Sequence, residues 1–202
     1  MANIDLNKIK IILHDGSDDV SQFDCNHEDI NEFIIEDALP QKEIMLNSTY
    51  IAKYEENIIG FFTLSADKIK IGKLGEEYKE KFKNKKINYT EFPALKLGRL
   101  GVVKQYKGQK IGSFLLRWIF FYGIEMSKNI GFRFITIDSY LGYPYEFYKK
   151  NYCKDILNEQ NLKKEINTYE RLKNRNNPEA NKRTVPLFMD LYKFKTLFSQ
   201  GD

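Results

Sequence analysis

Metal-ligating and redox-active side chains are scarce in this chain, whose 202 residues hold two cysteines and two histidines. Cys25 and Cys153 lie far apart and make neither a CxxC pair nor a disulfide framework, which excludes the common zinc and dithiol patterns and suits a reducing compartment. His14 and His27 both fall in the N-terminal stretch and read as surface or capping residues. Long apolar runs are missing too. The longest nearly uncharged one, residues 118–124, is too short to span a bilayer, and the opening MANIDLNKIKIILHD lacks the apolar stretch and cleavage site of a secretion signal. The expectation is a cytoplasmic protein with no membrane partner. Linkers rich in Pro, Gly or Ser, low-complexity tracts and internal repeats are also absent, so the chain reads as a single domain over 1–202 with a polar insertion at 160–183. Nor is there much excess of one charge. Lys and Arg outnumber Asp and Glu by 32 to 28, a net charge of +4 that is compatible with a phosphate-bearing ligand but too small to announce a nucleic acid.

What is present is an apolar periodicity that continues from Ile9 to Leu191 and alternates between strand and helix spacing. Residues 9–13 fit a first strand, and Asn26 reads as the cap of a helix with an apolar stripe of Ile30, Phe33, Ile34 and Ala38 that ends at Pro40. Residues 49–54 and 58–65 read as a hairpin around Glu55-Glu56-Asn57, with 68–71 continuing the sheet. The Lys- and Glu-rich stretch 75–86 predicts an exposed helix or loop. A strand returns at 94–103, followed by a polar turn at 104–110 and the clearest helix in the chain, with Ile111, Phe114, Leu115, Trp118, Ile119, Tyr122 and Met126 at three-four spacing. A strand at 132–138, a short helix at 144–152 opening on Pro144, a polar helix or loop at 160–183 and a closing strand at 185–192 complete an α/β order. Residues 94–138 form one strand-turn-helix-strand crossover.

The sequence KGQKIGS, residues 107–113, lies between that strand and its helix. Unpaired N–H groups at a helix start, with the positive end of its dipole, make a place for phosphate oxygens. Gly108 and Gly112 would let the main chain come close, while Lys107 and Lys110 add positive charge. The same residues fit an ordinary strand-helix turn, and the Walker pattern is absent.

The stretch LGRLGVVKQYKGQKIGSFLLRW, residues 97–118, resembles the acetyl-CoA motif of the GNAT superfamily of N-acetyltransferases, whose turn has the form Gln/Arg-x-x-Gly-x-Gly/Ala. Gly112 matches, Lys107 stands in place of Gln or Arg, and Lys110 stands in place of the first glycine, leaving less room beside a diphosphate. FDCNHEDINEFIIEDA at 23–38, EFYKKNY at 146–152 and VPLFMDL at 185–191 are similar to a GNAT subgroup that includes toxins of toxin-antitoxin pairs. The resemblance implies an α/β fold with a mixed, mostly antiparallel central sheet that holds a splayed parallel pair and is flanked by helices.

It also implies acetyl-CoA as donor and no metal. Leu100, Gly101, Val102 and Val103 would meet the pantetheine, a backbone N–H near Val102 would face the thioester carbonyl, and Lys107, Gly108, Gln109, Lys110, Ile111, Gly112 and Ser113 would hold the diphosphate. Tyr148 takes the place of the family's general acid toward the CoA thiolate, with Phe147 packed beside it. Asp138 and Glu146 are weighed as bases, Arg99 as a substrate-binding residue and Cys153 as structural. The subgroup implies aminoacyl-tRNA as acceptor, an antitoxin protein as partner, and basic segments at 79–86 and 171–183 for tRNA phosphates. A homodimer is left open. So are a small amine, an antibiotic or a protein N-terminus as acceptor, and a non-catalytic fold that binds CoA or a partner.

Overall fold

The computed structural model describes residues 4–198. Its strands are Lys10–Leu13 (β1), Ser48–Tyr54 (β2), Asn57–Lys70 (β3), Glu91–Val102 (β4), Phe134–Tyr140 (β5), Lys154–Asp155 (β6) and Thr184–Asp190 (β7). They form a sheet of order β1-β2-β3-β4-β5-β7-β6, antiparallel apart from one parallel pair. The helices are Glu28–Glu32 (α1), Ala38–Glu43 (α2), Glu76–Asn84 (α3), Ile111–Ser127 (α4), Tyr143–Lys150 (α5), Glu159–Asn174 (α6) and Leu191–Phe198 (α7).

The first helix departs from its sequence pattern in two places. Asn26 does not cap it. It sits at φ 58° and donates its N–H to Asp24 Oδ1 at 2.8 Å, an Asx-type turn that delays the helix so that His27 takes the N-cap position. Pro40 does not end it either. A π turn at Phe33–Asp37 separates α1 from α2, so Pro40 falls in the first turn of a restarted helix, where its missing N–H has little cost. The hairpin is as expected but tighter: Tyr54 pairs Asn57, leaving the two residues Glu55 and Glu56 in the loop, with Glu55 at φ 54°.

Two compact units make up the chain, one from the described residues up to Ala66 with Lys96–Tyr122, the other from Asp67–Leu95 with those from Gly123 onward. In the first, Phe23, Cys25, Phe33, Ile34, Ala38 and Phe61 form one buried cluster, and Ile4, Ala52, Ile59, Ile111 and Leu115 form another around the start of α4. Each such fully buried large side chain contributes roughly 1.5–3 kcal/mol relative to exposure. Glycine at 101 suits the packing: a Cβ there would lie 3.0–3.1 Å from Phe61, Ile30 and Phe23, tight enough that those side chains would have to shift. That close approach seats α1 on β4.

In the second unit Ile69, Leu74, Tyr78, Phe82, Phe92, Ala94, Phe134 and Phe188 share a core. The helix at 76–84 is therefore less exposed than its lysine content predicts, because Tyr78 and Phe82, four residues apart, put both rings into that core. Arg133 makes a two-pronged ion pair with the buried Asp190, at 2.9 and 2.7 Å. The polar stretch from 160 onward is helix α6, capped by Asn158, followed by a short 3-10 turn at Pro178–Lys182. No helix among the described residues is long and apolar enough to cross a membrane.

Candidate functional site

Successive N–H groups of a strand point to opposite edges. In β4, the Arg99 N–H donates to Thr63 Oγ1 at 3.0 Å, and just past the strand the Val103 N–H donates to the Ile59 carbonyl at 2.9 Å, both toward β3. The N–H groups of Leu100 and Val102 alternate with these and point to the edge away from β3. Gly101, between them, is buried in its contacts with α1. The Arg99 guanidinium lies over the Phe33 ring at 3.8 Å, a stacked cation–π contact that holds the side chain against the π turn.

After β4 the chain makes a 3-10 turn at Lys104–Tyr106 and then passes through Lys107, Gly108, Gln109 and Lys110 into α4. Gly108 has φ 84° with open space where a Cβ would stand, and Lys110 has φ 62°. The left-handed conformation is thus kept at the position where the sequence departs from glycine, at a cost of roughly 1–2 kcal/mol for an L-residue. The Lys110 carbonyl accepts the Phe114 N–H at 3.0 Å, so Lys110 is the cap and the N–H groups of Ile111, Gly112 and Ser113 have no acceptor within the helix. Ile111, buried in the cluster with Leu115, fixes where the helix starts. Gln109 Oε1 accepts the Ile4 N–H at 3.0 Å. The Lys107 ammonium donates to the Cys25 carbonyl at 2.6 Å, and the Lys104 ammonium to Asp24 Oδ2 at 2.7 Å. The turn is therefore anchored to the segment ahead of α1, a link the sequence pattern did not disclose. Beside α1 an open cavity of about 560 Å³ is lined by Asn26, His27, Glu28, Asn31, Glu32 and Glu36.

Tyr148 belongs to the second unit, on α5, where Pro144 in the first turn supports the helix start. Its side chain is buried and meets Phe147 edge-on at 5.1 Å. Burial pushes the hydroxyl's pKa well above the usual tyrosine value, and the nearby Cys153 adds to the rise. The group is a protonated donor at any physiological pH. Burial likewise raises the Cys153 thiol, against a smaller opposing pull from Lys149, so that this cysteine stays a thiol. On the same helix, the Tyr145 hydroxyl donates to Asp155 Oδ1 at 2.9 Å and Lys149 pairs with the same carboxylate.

The residues weighed as bases are solvated: Asp138 and Glu146 are both exposed. His14 overturns its reading as a surface or capping residue. It is 1% exposed, neither ring nitrogen has a hydrogen-bond partner, and burial lowers its pKa, with Lys42 lowering it further against the opposing pull of Asp18 and Asp15. His27 holds the N-cap position of α1 without a side-chain cap bond. Among the described residues no three His, Cys, Asp or Glu side chains gather as a metal centre requires.

No family model matches the chain, and no curated protein does. Solved structures do. AtaT complexed with acetyl-methionyl-tRNAfMet superposes with TM-score 0.73 at 20% identity, covering 94% of this chain and 99% of that one. A tyrosine-to-phenylalanine variant of KacT gives 0.72 at 22% identity, with 94% and 99% covered. AtaTR bound with AcCoA gives 0.70 at 20%, with 95% and 99% covered. The chain shares the fold of these proteins over nearly its whole length.

Proposed function

We propose that this protein is a GNAT N-acetyltransferase of the toxin type, moving acetyl from acetyl-CoA to the α-amine of aminoacyl-tRNA. The observation that carries the reading is the strand-turn-helix of 97–113: N–H groups of Leu100 and Val102 on the edge of β4 away from β3, then a turn with left-handed Gly108 and Lys110 leading to a helix start where the N–H groups of Ile111, Gly112 and Ser113 have no acceptor within the helix. These residues fit a pantetheine arm and a diphosphate in both direction and charge. When bound, acetyl-CoA supplies an activated acetyl group as its thioester. The Val102 N–H is the donor for the acetyl oxygen as it gains negative charge, and the N–H groups at the start of α4 hold the phosphates together with Lys110. Tyr148, kept protonated by burial, gives a proton to the departing thiolate.

The acceptor follows from two considerations. An α-amine has a pKa of about 8 and is partly neutral at pH 7, so it needs no strong base, and Asp138 and Glu146 are exposed rather than poised as bases. AtaT, similar over nearly its whole length, is seen with acetyl-methionyl-tRNAfMet. Exposed Lys83, Lys85 and Lys86 with Arg171, Lys173 and Arg175 supply cations for tRNA phosphates, whereas Arg183 is tied to Glu165. Such an enzyme works in the cytoplasm alongside charged tRNA, and an antitoxin would hold it in check. A second reading, acetylation of a small polycationic amine, is favoured by the three glutamates lining the cavity beside α1.

Transfer of labelled acetyl from acetyl-CoA to charged tRNA, to polyamines and to peptide N-termini decides among these. Charged tRNA is expected to be the preferred acceptor, and Tyr148→Phe to lower kcat by about 10²–10⁴ with acetyl-CoA affinity little changed. Labelling of polyamines alone replaces the acceptor, and full turnover by Tyr148→Phe removes that residue from the mechanism.

A further inference from the structure

Asp24 uses both of its carboxylate oxygens. Oδ1 accepts the Asn26 N–H at 2.8 Å and Asn31 Nδ2 at 3.2 Å, and Oδ2 accepts Lys104 Nζ at 2.7 Å. The backbone alongside is tied in the same sense: the Lys104 N–H donates to the Asp24 carbonyl at 2.8 Å, and Lys107 Nζ to the Cys25 carbonyl at 2.6 Å. Asn31 closes the network by accepting the Cys25 N–H at 2.9 Å. Hydrogen bonds from Lys104 and then Asn26 hold the Asp24 pKa down to about 2, so the carboxylate keeps its charge at working pH.

The turn that Lys104 opens has need of such a template. It carries two residues at positive φ, Gly108, which adopts that conformation freely, and Lys110, which as an L-residue is strained in it. A strained turn keeps a single shape only where its surroundings over-determine it. The other end of the network reaches the cavity beside α1, which Asn26 and Asn31 both line. Lys104 and Asp24 are 55% and 38% exposed, so their ion pair adds little to stability and its effect is one of placement.

We propose that Asp24 is a positioning residue: through Lys104 it sets the 104–110 turn in the shape that receives a diphosphate, and through Asn26 and Asn31 it links that shape to the cavity at α1. The inference rests on the reading of this turn as the diphosphate site of acetyl-CoA.

Titration calorimetry with acetyl-CoA and steady-state transfer kinetics test it on wild type, Asp24→Asn, Asp24→Glu, Lys104→Met and the double variant Asp24→Asn/Lys104→Met. Asp24→Asn and Lys104→Met are each expected to weaken acetyl-CoA binding and raise its KM about fivefold to tenfold, with kcat within about twofold. Asp24→Glu should recover part of the loss, and the double variant should be no worse than either single one, because both remove one bond. Lys104 is exposed, so its variant folds even if Asp24→Asn does not. Unchanged affinity in Lys104→Met, or losses that add in the double variant, overturn the positioning role while wild-type binding stands. A wild type that binds no acetyl-CoA overturns the diphosphate reading and this inference together.

Discussion

Burial sets the protonation of single residues here, and in opposite chemical directions. Tyr148 and Cys153 are acids held neutral by burial, whereas His14 is a base held neutral by it. For Tyr148, proposed above as the proton donor, that neutrality would be useful, since such a donor must keep its proton until a thiolate forms. For His14 it is a liability, because neither ring nitrogen has a partner to share an added charge. Its folded pKa lies below the unfolded value of about 6.5, so the stability it allows is complete above that value and is lost as pH falls through the folded pKa. His14→Leu should accordingly flatten the fall in Tm between pH 7 and pH 5. Thermal melts of both proteins across that range check it, and parallel curves would show that other groups set the acid sensitivity. Neither role was legible from the residues alone. A tyrosine beside a phenylalanine on a short helix has the pattern of a core residue, and only the GNAT resemblance singled Tyr148 out. A histidine following an exposed strand gives no sign that it will be buried.

Among the elements, the strands and the long helix follow their periodicity, and the departures occur where backbone geometry replaces it. Helix α4 was legible because Ile111, Leu115 and Ile119 repeat on one face, although burial extends to Leu116 and Phe120, beyond the expected stripe. The break between α1 and α2 was not, since a π turn changes the helical repeat without a sequence marker and lets Pro40 stand inside. The same holds for Lys110, whose φ of 62° belongs to glycine by habit. Lys110→Gly should raise stability by about 1 kcal/mol, because relief of the left-handed strain exceeds the extra chain entropy of glycine in the unfolded state. Urea unfolding with an unchanged m-value measures the gain. A loss of stability would mean that the lysine side chain makes a contact worth more than the strain.

For the whole molecule, the distribution of charge matters more than its small net excess of +4. The exposed lysines at and just past the end of α3 and the cations at and just past the end of α6 are solvated, while Glu28, Glu32 and Glu36 gather at the cavity beside α1. If tRNA phosphates meet those cations, the KM for charged tRNA should rise steeply between 50 and 200 mM salt, by about tenfold or more, through counterion release. The KM for acetyl-CoA should change far less over the same range, and equal salt slopes for the two substrates would remove the basic segments from recognition.

The crossover and the main strands and helices around it were determined by the sequence itself, since periodicity acts over a few residues and needs no distant partner, whereas the short β6 and helix α7 were not legible there. Only the tertiary structure decided that His14 is buried, that Gly101 serves close packing of α1, and that Asp24 and Cys25 hold Lys104 and Lys107 about eighty residues further on. Those outcomes depend on contacts between segments remote along the chain, where each partner's effect exists only once the other has been folded against it.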